Sequence, residues 1–180
     1  MMASGKILFI IASEGFQHIE YLEPKRILEG AGFSIITASD KAGTAVADDG
    51  TIAKVDLTLD EVKVGNYDGI FIMGGSGALE HLDNEKTYRI MKEANQKLYP
   101  IGAICVSPRI LAKAGVITRK RATGWNGDGE LPEIFKIYDV KYTPMPVVVE
   151  ENVITATDPD AAKLFGQEII TLLQNNKGWG

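Results

Sequence analysis

The chain carries one cysteine, two histidines and two tryptophans in 180 residues, and these scarcities exclude several designs. One cysteine cannot close an internal disulfide, so no disulfide scaffold is expected and a reducing, cytoplasmic compartment is the default. His18 and His81 beside a single thiol are too few for a structural zinc site, and no metal is expected. No apolar run approaches the ~18 residues that cross a bilayer. The opening MMASGKILFIIAS has an apolar stretch without a small-residue cleavage site after it, so it reads as a first buried strand rather than a leader. Basic residues are also thin: 19 Lys and Arg stand against 24 Asp and Glu, a net charge of -5. The one short basic block is RKR at Arg119 to Arg121, so neither nucleic acid nor an anionic membrane is expected as a partner.

What is present suits a single globular unit spanning 1–180, with 45% hydrophobic and 24% charged residues. Apolar, β-branched runs recur at Lys6 to Ser13, Phe33 to Ser39, Tyr67 to Gly75 and Tyr99 to Cys105. Continuous apolarity of this kind predicts strands covered on both faces. Helical spacing fills Ile19 to Ala31, Glu85 to Leu98 and Pro108 to Ala114. A last helix is predicted after Thr157, where Asp158 can cap and Pro159 can take the first helical position. The alternation predicts an α/β, doubly wound fold with a mostly parallel sheet and helices on both faces. Asp49-Gly50 and Glu151-Asn152 sit between β-prone segments and predict hairpins or small antiparallel additions. Asn175 to Gly180 are expected to fray.

The single cysteine lies in PIGAICVSPRILAKAG, where a strand pattern meets a helical one. Ala103 and Ser107 flank Cys105 at two residues on either side and Pro108 opens the helix, the spacing of a nucleophile elbow whose neighbours must be small. A thiol at a helix start is expected to have a lowered pKa. The alternative is a small apolar residue in a buried strand, the commonest setting for a free cysteine. Gly74-Gly75 ends the preceding strand at the same predicted sheet edge, so the N–H groups of Gly75 and Val106 are expected to converge on an oxyanion formed by sulfur attack. The stretch SEGFQHIEYLEP brings Glu14, His18, Glu20 and Glu23 to that edge, where a carboxyl could exchange a proton with the thiol.

GFQHIEYLEPKRILEGAGF, YDGIFIMGG, AICVSPRILAKAGVITRKRATGW and NVITATDPDAAKLFGQEIITLL together resemble the ThiJ/PfpI family of the class I glutamine-amidotransferase-like superfamily. The resemblance implies a flavodoxin-like sandwich, Cys105 as the reactive cysteine, Glu20 as its hydrogen-bonded carboxyl, and Gly75 and Val106 as backbone donors. It also implies a homo-oligomer, dimer or hexamer, and a small-molecule carbonyl substrate for glyoxalase- or deglycase-like members. Other members are intracellular cysteine peptidases or amidases, or redox-sensing stress proteins. Val106 stands where peptidase members have histidine, and Glu80 lies near the region that supplies their acid. Trp125 replaces a histidine found in other members and reads as a pocket wall. Gly74 and His18 complete the candidate lining; a first helical turn would separate His18 from Glu20 by ~200 degrees, and His81 reads as surface. Gly74-Gly75-Ser76-Gly77 lacks a phosphate-binding fingerprint, so no cofactor is expected.

Overall fold

The structure is a computed structural model that describes residues 4–176. In chain order the elements are β1 (Gly5–Ile10), β2 (Glu14–Phe16), α1 (His18–Gly30), β3 (Phe33–Ser39), β4 (Gly43–Ala47), β5 (Ile52–Val55), β6 (Leu57–Thr58) and β7 (Gly69–Ile72). There follow α2 (Ala78–Leu82), α3 (Glu85–Gln96), β8 (Ile101–Ile104), α4 (Pro108–Lys113), β9 (Arg121–Ala122) and α5 (Leu131–Ile137). β10 (Lys141–Tyr142), β11 (Val147–Glu150), β12 (Val153–Ala156) and α6 (Ala162–Asn176) complete the described chain.

Seven strands form the main sheet in the order β11-β12-β8-β7-β1-β3-β6. Every pairing in it is parallel except β11 with β12. Both faces of β1 are sealed, and its side chains divide between two cores as the strand's period of two requires. Leu8 and Ile10 pack with Ile90, Met91, Ile110 and Leu111 of α3 and α4. Ile7 and Phe9 pack with Leu28 of α1 and Phe165 and Ile169 of α6. Phe9, Phe71 and Phe165 meet edge to face, with ring centroids 6.4 and 6.2 Å apart. The result is the doubly wound, flavodoxin-like sandwich that the alternating pattern predicts.

The chain leaves β1 toward β3 on one side and returns to β7 on the other. Strand order therefore reverses between β1 and β7, and the loops that follow the strands' carboxyl ends diverge there to leave a crevice. The loops after β1, β7 and β8 carry Glu14 to Gln17, Gly74 to Gly77 and Cys105 respectively.

Both predicted hairpins are present, with different destinations. β11 and β12 pair antiparallel, and β12 continues into the main sheet parallel to β8. β4 and β5 also pair antiparallel, but they join β2 in a separate three-stranded sheet. Asp158 caps as predicted, its Oδ1 accepting the Ala161 N–H at 3.2 Å. The cap opens a 3-10 turn over Pro159–Ala161 before α6 begins. Asn175 and Asn176 complete α6 rather than fraying, and residues 177–180 lie outside the described residues. The sequence pattern missed α2, α5 and the small β9–β10 sheet.

Candidate active site

Cys105 follows β8 directly, with φ at +67°. A side-chain-bearing residue in the left-handed region is disfavoured by roughly 1–2 kcal/mol, so the surroundings must fix it. Its N–H donates to Ala156 O at 3.0 Å and its carbonyl accepts the Trp125 N–H at 2.7 Å. Ser107 is fully buried, and its hydroxyl donates to Met73 O at 2.7 Å, tying the elbow to the end of β7. Gly124 backs onto the same carbonyl; a Cβ there would lie 3.0 Å from Cys105 O.

Glu20 arrives on the first turn of α1. Gln17 caps that helix, its side-chain oxygen accepting the Glu20 N–H at 2.9 Å. The Gln17 N–H in turn donates to Gly74 O at 2.9 Å, which pins the helix start to the Gly-Gly turn. Glu20 is fully buried, and its Oε2 accepts the Gly74 N–H at 2.9 Å. Oε1 is buried without a hydrogen-bond partner among the described residues, and the Cys105 thiol is the side chain beside the carboxyl.

Burial pushes the Glu20 carboxyl up to about 7; the contact with Cys105 and the Gly74 N–H pull it down, while Asp158 and Asp48 push it up. Cys105 is 9% exposed. Burial, followed by the charge of Glu20 and its hydrogen bond, drives the thiol well above the ordinary range, against the N–H groups of Val106 and Gly75. The expectation of a thiol acidified by its helix start is therefore corrected. α4 has only six residues, and desolvation beside a carboxylate outweighs two backbone donors. Burial therefore shifts both groups upward, the Glu20 carboxyl to about 7 and the thiol well above its ordinary range.

Close backbone approach explains the glycines. A Cβ on Gly74 would lie 2.5 Å from both Cys105 Cβ and Glu20 Oε2. Gly75 has φ at +127°, and a Cβ there would lie 2.2 Å from Gly15 O. Only glycine fits either position.

The structure separates the remaining candidates from the pair. His18 opens α1 and its Nε2 lies 3.4 Å from Asp49. Glu80 is exposed on α2. Trp125 is 36% exposed and lines an open groove beside the elbow. Glu14 pairs with Lys41 and Glu23 with Arg26. His81 is half-buried rather than surface: its Nδ1 lies 3.1 Å from Asp40, which also accepts the Ser13 hydroxyl at 2.8 Å. Sequence reasoning missed Gln17, an unusual capping residue, and Asp48 and Asp158 as charges on Glu20. The signal for Asp158 was present in its cap position. Asp48 gave none, because the hairpin tip reaches the site only through tertiary packing. It also missed Arg109, which is buried and binds both oxygens of Asp128 at 2.9 and 2.8 Å.

Residues 5–172 match the DJ-1/PfpI family. The chain belongs to the DJ-1/PfpI family. It is 35% identical over 176 residues to an uncharacterised protein of Methanocaldococcus jannaschii, covering 97% of this chain and 85% of that one. It is 30% identical over 169 residues to the deglycase PfpI of Pyrococcus furiosus, covering 94% and 99% of the two chains. A ThiJ/PfpI domain protein from Brachyspira murdochii superposes with a TM-score of 0.89 at 26% identity, covering 94% and 96%. Among the described residues of this DJ-1/PfpI chain, no helix is long and apolar enough to cross a membrane. No group of three or more His, Cys, Asp or Glu side chains among them could hold a metal ion.

Proposed function

We propose that this DJ-1/PfpI protein is a cysteine-dependent enzyme acting on small reactive carbonyl compounds, with Cys105 as nucleophile and Glu20 as acid and base. One observation carries the reading: a buried thiol lies against a buried carboxyl whose pKa is raised to about 7. A carboxyl so tuned can accept and return a proton at neutral pH. Similarity to a protein named a deglycase adds support.

In the glyoxalase-like version, ionised Glu20 takes the thiol proton as sulfur attacks the aldehyde carbon of a 2-oxoaldehyde. The carbonyl electron pair moves to oxygen, which recovers that proton from Glu20 and leaves a hemithioacetal. The N–H groups of Gly75 and Val106, already directed at the sulfur, stabilise the developing negative charge. Glu20 then removes the proton on the former aldehyde carbon. Protonation of the neighbouring ketone oxygen gives an enediol, and its collapse with protonation at the adjacent carbon gives a thioester. Water hydrolyses the thioester, releasing a 2-hydroxy acid and restoring the thiol.

This route needs no imidazole. Peptide hydrolysis would require protonation of an amine leaving group, and general acid catalysis typically contributes ~100 to 10,000-fold. Val106 supplies no proton, while His18 and His81 are engaged by Asp49 and Asp40. The test is to incubate wild type and Cys105→Ser with methylglyoxal and follow lactate. Wild type should turn over and the variant should not; equal, negligible turnover in both overturns the assignment.

A further inference from the structure

The two backbone donors proposed for the oxyanion belong to peptides that are each gripped at the carbonyl end. The Val106 N–H shares its peptide with the Cys105 carbonyl, which accepts the Trp125 N–H at 2.7 Å. The Gly75 N–H shares its peptide with the Gly74 carbonyl, which accepts the Gln17 N–H at 2.9 Å. A peptide held by its oxygen cannot turn its N–H aside, and the hydrogen bond accepted there polarises the unit and strengthens the N–H as a donor. Gln17 is fixed as the cap of α1. Trp125 belongs to no helix or strand and is 36% exposed, so its N–H needs another anchor.

Arg109, buried on the first turn of α4, supplies it. Its N–H donates to Val106 O at 3.2 Å. Its Nη2 binds both oxygens of Asp128 at 2.9 and 2.8 Å and lies 3.5 Å from Trp125 O. The guanidinium carbon stands 5.9 Å from the centroid of the Trp125 ring, within reach of a cation–π contact. A closed circuit results, from the Cys105 carbonyl to the Trp125 N–H, from the Trp125 carbonyl to Arg109, and from the Arg109 N–H to the Val106 carbonyl. Asp128 Oδ1 also accepts the Glu130 N–H at 3.0 Å, and Asn126 Oδ1 accepts the Leu131 N–H at 3.0 Å, which ties the segment to the start of α5. Two glycines leave it room: a Cβ on Gly124 would lie 3.0 Å from Cys105 O, and one on Gly127 2.4 Å from the Trp125 ring.

We infer that Arg109 is a positioning residue: clamped by Asp128, it keeps the Trp125 N–H on the Cys105 carbonyl and so aims and polarises the Val106 N–H. The inference rests on the proposed function, which gives that N–H its task, and Arg109 acts only through this peptide. A buried ion pair is often no more stabilising than an apolar pair of similar size, so geometry is what the clamp adds. Removing an oxyanion donor outright costs about 100- to 1,000-fold in kcat, and misdirecting one should cost at least about tenfold.

The test reads that one peptide directly. The only cysteine of the chain is followed by Val106, so labelling with carbonyl-¹³C cysteine and ¹⁵N valine leaves a single carbonyl-to-amide NMR correlation. A second sample with ¹⁵N tryptophan reports the Trp125 amide, which in wild type should exchange with solvent at least about 100-fold more slowly than in an unstructured peptide. Asp128→Asn and Arg109→Met both loosen the clamp. Each should move the Cys105 carbonyl carbon upfield, as loss of an accepted hydrogen bond does, and speed Trp125 exchange at least about tenfold. Asp60→Asn, at the exposed pair with Lys86, should do neither. With methylglyoxal, both clamp variants should lower kcat at least about tenfold and leave KM within about twofold, the mark of an interaction made only in the transition state. Reduced stability in urea with the correlation or kcat unmoved would make the clamp a structural pair only and overturn the inference. A wild-type Trp125 amide that exchanges like an unstructured peptide would overturn it too, and that measurement needs no variant to fold. If the correlation and exchange respond as stated but wild type does not turn over methylglyoxal, the proposed reaction alone is overturned.

Discussion

The carboxyl of Glu20 sets the balance between stability and chemistry at the site. Its ordinary pKa near 4.5 rises to about 7 in the fold, so between those pH values the native state binds more protons than the unfolded chain. Stability contributed by protonated Glu20 is fully present below pH 4.5 and is lost as pH rises through 7, by roughly 3 kcal/mol. Glu20→Gln removes that loss. The variant should match wild type in urea unfolding near pH 4 and exceed it by roughly 2–3 kcal/mol near pH 8, while losing activity. Gly74→Ala should act differently, since its Cβ would fall 2.5 Å from Cys105 Cβ and Glu20 Oε2. We expect loss of activity together with an unfolding free energy in urea lowered by roughly 1–3 kcal/mol. The residue types and their spacing were legible in the sequence at this scale, with Cys105 between small neighbours and Glu20 in a first turn. The direction of the thiol shift was not, because it depends on burial and on a carboxylate 85 positions away in the chain.

Among the elements, β9 and α5 are joined by an irregular segment that an ion pair anchors. Arg109 reaches from α4 to Asp128, and its guanidinium carbon lies 5.9 Å from the centroid of the Trp125 ring. Asp128→Ala would leave a buried guanidinium with the Trp125 carbonyl at 3.5 Å and Glu130 at 3.8 Å. A loss of roughly 2 kcal/mol is expected, with altered Trp125 fluorescence and faster proteolysis between residues 123 and 130. An unchanged proteolysis pattern would show that the pair does not hold this segment. The four buried strands and three of the helices could be placed from periodicity, because each buries its own repeating apolar face. α2 and α5 are too short to show a period. The β4–β5 hairpin was visible at Asp49-Gly50, yet its pairing with β2 was not, since local turn chemistry does not name a distant partner. His81 failed for the same reason: it faces Asp40, which directly follows the distant strand β3.

Across the whole molecule, the packing of α1 on α6 sets where Glu20 meets Cys105. α1 carries Glu20 and lies against α6, where a Cβ on Gly166 would approach Pro24 Cα to 3.0 Å. The neighbouring Ile27 side chain can yield, but the Pro24 backbone cannot without moving α1. Gly166→Val should therefore lower stability by roughly 1–3 kcal/mol and also slow Cys105 alkylation, although it touches neither reacting group; normal alkylation in a destabilised variant would separate packing from the site. The doubly wound plan and its carboxyl-edge crevice were readable from strand and helix alternation, whereas this contact between helices was not. The account as a whole depends on Glu20 exchanging a proton with Cys105. The most direct measurement is the pH profile of iodoacetamide alkylation in wild type and Glu20→Gln. Wild type should show a rise in rate near pH 7 that the variant lacks, retaining only the later ionisation of the thiol itself. Superimposable profiles would contradict a shared proton.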